Sequence, residues 1–182
     1  MTLAESLEAL ATQNHYGVAF LLAYGATWIT CGILWRVLGH RNAALATLFQ
    51  GMVAFPIALG LSYAIGALGQ DRQVDQTITQ LSMYIGTSQL LGLPFLIYLF
   101  ARQQFTLMPY AFAAICAMHF MLYSWLYQTP LYVIMAAVIA FGGLLIMLIA
   151  QSRQKSSSVT ASLVCFFVGL TMLATTVAFQ FI

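Results

Sequence analysis

Long apolar stretches separated by short polar clusters set the pattern of this chain. The apolar runs fall at about 16–37, 44–68, 78–101, 107–127, 131–150 and 159–182. Each is near the roughly 20 residues that a helix needs to cross the hydrocarbon core of a bilayer. The clusters between them, GHRN, GQDRQVDQT, RQQFT, QTP and QSRQKSSS, are short, and short connections make sequential helices antiparallel neighbours. The expected fold class is all-α, an integral membrane bundle of six transmembrane helices spanning 15–182. Ahead of it, residues 1–14 predict a short amphipathic, interfacial helix. Thr2 and Glu5 stand at capping-box spacing, and Leu3, Leu7 and Leu10 fall on one helical face.

Composition points the same way. The 182 residues are 62% hydrophobic and 5% charged, with a mean hydropathy of +0.92. A soluble domain carries roughly 25% charged residues. The net charge of +2 gives no basic surface of the kind that binds nucleic acid. Cys31, Cys116 and Cys165 all lie inside apolar runs and read as small buried hydrophobes, outside any disulfide framework. The first residues are acidic and the first apolar run is full length, unlike a cleavable signal with its basic start and short apolar core. Glu5 and Glu8 give the N-terminal helix no electrostatic attraction to anionic lipid.

Lys and Arg in short loops stay on the cytoplasmic side. Arg36, Arg41, Arg102, Arg153 and Lys155 fall on one side of the predicted topology, against Arg72 on the other. Both termini are therefore expected outside the cytoplasm. Tyrosine and tryptophan near the helix ends suggest aromatic belts, with Trp35, Tyr98 and Tyr110 at one rim and Tyr16, Trp125, Tyr127 and Tyr132 at the other. Gly25 with Gly32, Gly60 with Ala64, Ser82 with Gly86, and Gly142 with Gly143 are spaced to let helix backbones approach.

The candidate chemistry sits at mid-depth. Ionisable groups inside a membrane are costly, so each is a functional candidate. His119, midway between Pro109 and Tyr127, is the deepest titratable acid or base. A helix rises about 1.5 Å per residue, and counting inward from the predicted ends brings Tyr24, Thr27, Pro56, Gln89 and Thr171 to a similar depth. Pro56 lacks the N–H that would bond the Met52 carbonyl, and Gln89 brings two donors and an acceptor. Cys116, His119, Phe120 and Tyr123 share one face by their three- and four-residue spacing. The candidate ligand-binding set is His119, Gln89, Tyr24, Thr27, Pro56, Cys116, Tyr123 and Thr171. The fifth run contributes nothing polar at this depth, so it is expected to face lipid over much of its surface.

No catalytic set, metal site or cofactor is expected. A closed zinc site needs about four Cys, His or carboxylate ligands, and Cys116 with His119 supplies two. His15 and His40 are predicted at opposite rims, which disfavours a two-histidine haem. The serines Ser82, Ser88, Ser124 and Ser162 lie in no glycine-flanked nucleophile motif, and the aspartates Asp71 and Asp75 fall in a loop. These residues leave three functions in view. A small neutral or apolar solute could be bound or moved at a site around His119; a charged one would need a fixed countercharge in the spans. The chain could instead be a structural or accessory subunit docked on a partner membrane protein or on a second copy. As a lipid-modifying enzyme it would need a serine or cysteine within hydrogen-bonding reach of His119.

Four stretches carry a resemblance: YGATWITCGIL, LFQGMVAFPIALG, SQLLGLPF, and PYAFAAICAMHFMLYSWLYQTPLYV. Over about residues 16–145 the chain resembles an uncharacterised family of small multi-spanning bacterial membrane proteins, a domain of unknown function. Its motifs correspond to Gly51, Phe55 and Pro56, and to His119, Phe120, Leu126 and Tyr127. The family prefers tyrosine after the histidine, where this chain has Phe120 and so lacks a hydroxyl. The resemblance implies a multi-pass protein of the bacterial inner membrane, with the lipid bilayer as its constant partner, and no activity.

Overall fold

The computed structural model describes residues 2–68, 76–154 and 156–181. The loop charges Asp71, Arg72 and Asp75, together with Lys155, lie outside the described residues. Helix α1 (Leu3–Gln13) begins at the expected capping box: Glu5 N–H donates to Thr2 Oγ at 3.3 Å, and Thr2 N–H donates to the Glu5 carboxylate at 2.8 Å. Its Ser6, Leu7, Leu10 and Ala11 are buried against the bundle, while Leu3 is exposed.

Six helical stretches are long and apolar enough to cross a membrane. They contain α2 (Val18–Val37), α3 (His40–Ala64), α4 (Gln76–Ser88) continued through a 3-10 turn into α5 (Leu93–Ala101), α6 (Met108–Leu126), α7 (Leu131–Ser152) and α8 (Ser157–Ala178). The protein is all-helical among the described residues, a six-span bundle preceded by one shorter helix.

Helix α2 is central. It packs most extensively against α8, then against α3, while α6 lies against α7 and α8. Along α2, Tyr24, Trp28, Cys31 and Trp35 fall at alternating four- and three-residue spacing on one inward face. The buried stripe of α3 is Ala43, Thr47, Gln50, Ala54 and Ala58. Where the two helices meet, Trp35 Nε1–H donates to Thr47 Oγ at 2.9 Å, and Thr47 donates to the Ala43 carbonyl of its own helix. Trp35 is thus a core residue, not part of an aromatic belt. Tyr127 and Tyr132 are buried too: they cluster with Tyr16, Phe120, Tyr123 and Phe179 at the other end of the bundle. Tyr98 and Trp125 do stand exposed, as belt residues must.

Helix α8 starts at a serine cap, Ser156, which accepts from Val159 N–H. Its first turns are tied to the end of α2, where Arg36 Nε donates to Ser162 Oγ and Ser162 donates to the Gly32 carbonyl, each at 2.7 Å, and Ser158 bonds the Trp35 carbonyl. Helix α7 exposes Val133, Ile134, Val138, Phe141, Leu144, Leu145 and Leu148, the broad apolar face expected of the fifth span. The three cysteines are free and buried.

The third span is held differently. Helices α4 and α5 pack chiefly on α6, and their buried residues are only Ile78, Ile85, Leu96 and Leu99. The span is also not one continuous α-helix. It tightens into a 3-10 turn at Gln89–Gly92, and Pro94 sits in the first turn of α5. Proline fits an opening turn because those N–H groups have no helical partner.

Candidate functional site

The 3-10 turn in the third span faces the histidine of α6. His119 is buried, 7% exposed, on the same side of α6 as Cys116. Its ring lies against Tyr123 at 5.0 Å edge to face and against Phe120 at 5.4 Å. Ser88, the last residue of α4, puts its Oγ 3.1 Å from His119 Nδ1. The same Oγ lies 2.7 Å from the Ile85 carbonyl one turn back, a carbonyl that the His119 ring also approaches. Next along the turn, the Gln89 side chain interacts with Tyr24 of α2. A Cβ on Gly51 of α3 would stand 3.8 Å from the Tyr24 hydroxyl.

The fold therefore brings Gln89 to the side of α6 that carries Cys116, His119 and Tyr123, with Tyr24 approaching Gln89 from α2. Three other candidates stand elsewhere. Pro56 is exposed on the outer side of α3, off the stripe that faces α2. Thr27 donates to the Tyr24 carbonyl of its own helix and lines a separate groove of about 510 Å³ with Val53, Ile57 and Leu173. Thr171 donates to the Phe167 carbonyl within α8. Ser88 is the residue whose place at the site depth counting did not pick out. The signal was present in Gly92 and Pro94, which mark a change of helix just after it.

Beside this cluster lies a groove of about 360 Å³ lined by Ser88, Gln89, Leu91, Gly92, Ile115, Met118, His119 and Leu122. That volume is at the lower end of the roughly 300–1,000 Å³ typical of small-molecule sites. Its polar groups converge at one end. Leu91, Met118 and Leu122, exposed by 84%, 66% and 45%, carry the other end out to the apolar surface of the helices. Gly92 brings the turn close to α6, since a Cβ there would come within 2.6 Å of the Ile115 side chain. Among the described residues, no charged side chain lines the groove. Among the described residues no group of three or more His, Cys, Asp or Glu side chains is arranged to hold a metal ion.

A second polar layer lies between α2 and α3. Cys31 Sγ is 3.7 Å from Gln50 Oε1, and Gln50 Nε2 and Trp28 Nε1 are buried without partners among the described residues. It lies on the Trp35 side of the bundle and does not join the groove.

A family model described as a family of unknown function (DUF7010) matches residues 3–178. No curated protein and no solved structure matches the chain.

Proposed function

The chain belongs to the DUF7010 family of unknown function, and we propose that it binds a small neutral or largely apolar solute in the groove beside His119, holding it within the bilayer or passing it along. One observation carries this reading: polar groups from two spans converge at a change of helix, on a groove that is otherwise apolar and opens among lipid-facing side chains. Non-α backbone at membrane depth is tolerated where it lines a cavity or is buried in protein. Interrupted helices are also where transporters form their binding sites. The light packing of the third span supports a part that moves against a firmer α2–α3–α6–α8 body.

The bilayer is that of the bacterial inner membrane in this reading. Arg36, Arg41, Arg102 and Arg153, all exposed, face the cytoplasm by the rule that basic loops stay inside, and both ends of the chain lie outside. The alternative, an accessory subunit docked on a partner or on a second copy, draws on the exposed face of α7 but has no polar or shape feature that selects an occupant.

The test is thermal unfolding of detergent-purified protein with a panel of neutral amphiphiles, for the natural chain and His119→Phe. Saturation at about 100 times Kd stabilises a protein by about 2.7 kcal/mol. We expect a shift in the natural chain, and no shift in a variant that still folds. If no amphiphile shifts the natural chain, or the variant responds equally, the reading is wrong. A variant that simply unfolds at lower temperature, with ligand response intact, would make His119 a packing element.

A further inference from the structure

The hydrogen bonds around Ser88 decide which nitrogen of His119 carries the proton, and with it the kind of head group the groove takes. A carbonyl oxygen only accepts, and two oxygens approach to 2.7 Å when a proton lies between them. Between Ser88 Oγ and the Ile85 carbonyl that proton belongs to Ser88. The hydroxyl has no second proton to give, so at the 3.1 Å contact with His119 Nδ1 the serine oxygen accepts and Nδ1–H donates. A neutral imidazole carries one N–H and one bare nitrogen. The bare nitrogen is then Nε2, on a ring that lines the groove.

We infer that the groove binds a membrane-dissolved alcohol with an aliphatic tail, its hydroxyl donating to His119 Nε2 and its tail lying along Leu91, Ile115, Met118 and Leu122. This rests on the binding reading above and specifies its ligand. An acceptor-only head group, such as an ether or ester oxygen, leaves the bare nitrogen without a donor. A cationic or anionic head group finds no countercharge along the lining among the described residues. Entry is from the bilayer, since the exposed ends of Leu91 and Met118 are continuous with the lipid-facing surface.

Two measurements test it. Binding of 1-dodecanol is compared with that of dodecyl methyl ether, which has the same tail without the donor, by thermal shift and by tryptophan fluorescence in detergent. The alcohol is expected to bind about three- to tenfold tighter, the fold-change of one net hydrogen bond, and His119→Phe is expected to abolish that preference. Independently, nitrogen-15 spectra of histidine-labelled protein without ligand, with the His119 signals assigned by their loss in His119→Phe, are expected to give a protonated Nδ1 and a bare Nε2. Equal binding of alcohol and ether, or the opposite tautomer, overturns the head-group assignment while leaving solute binding intact. If neither compound binds, both the binding reading and this one fall.

Discussion

The carbonyl oxygen of Gly25 stands 2.8 Å from the point that a Cβ on Gly169 would occupy, closer than real Cβ atoms come to a backbone oxygen. Helices α2 and α8 therefore cross backbone to backbone, which is why this pair forms the most extensive contact in the bundle. Without a hydrophobic drive between helices in lipid, such close approach is a main source of association.

Gly169→Ala is accordingly expected to destabilise the protein by roughly 1–3 kcal/mol, the usual cost of forcing extra volume into a packed contact. The obstacle is a backbone atom and cannot swing aside. Gly60→Ala is the control, because a Cβ there meets nothing within 4 Å. It should be neutral or gain up to about 1 kcal/mol from alanine's better helix propensity. Unfolding in mixed detergent micelles measures both; a Gly169→Ala protein as stable as the control would show that the helices part easily.

Much of this frame was legible because a bilayer makes sequence rules strict. Backbone groups must be satisfied within each span, so run length and loop shortness dictate the six helices, and Gly25 with Gly32 already marked the face of α2 that meets α8. Rotation about each helix axis was less legible. Counting residues gives depth, and depth alone grouped Pro56, Thr27 and Thr171 with His119, although Pro56 lies off the buried stripe of α3 and the two threonines bond their own helices. The stripe of Cys116, His119 and Tyr123 was recoverable because three- and four-residue spacing carries rotation as well as depth. Helix ends were obscured by glutamine. Gln103 and Gln128 take the left-handed position after a helix, at φ 58° and 50°, where glycine is the usual signal. Gly66, at φ 74°, is the glycine that stops α3, with Gly66 N–H bonding the Tyr63 carbonyl and Ala67 N–H the Ser62 carbonyl.

The Ser88 and His119 contact has the reach of a nucleophile and its base, the feature that a lipid-modifying enzyme would need. The proton inventory argues against that use. A general base must have a free lone pair for the serine proton, and here Nδ1 already holds a proton while the hydroxyl serves Ile85. A fluorophosphonate probe, which labels activated serines, is therefore expected to leave Ser88 unmodified in the natural chain in membranes. Labelling that disappears in Ser88→Ala and His119→Phe would establish the opposite tautomer and an esterase-like site.

At the other end of the bundle, His15, Tyr16 and Gly17 take φ values of 46°, 51° and 73° in succession. Each non-glycine residue there costs about 1–2 kcal/mol, and such strain persists only where the surroundings impose it. The Tyr132 hydroxyl imposes it by donating to the Tyr16 carbonyl at 2.6 Å, and the Tyr16 ring stacks on Phe179 at 5.3 Å. Tyr132→Phe should cost roughly 1–3 kcal/mol by orphaning that carbonyl. Gly17→Ala should also destabilise, since its Cβ would meet the same hydroxyl at 2.9 Å in a conformation that alanine resists. Because one oxygen is both the bond and the obstacle, the double variant should lose less than the two single losses added together, with a coupling of about 0.5–3 kcal/mol between contacting residues. Strictly additive unfolding energies would mean that the hydroxyl does not set the turn.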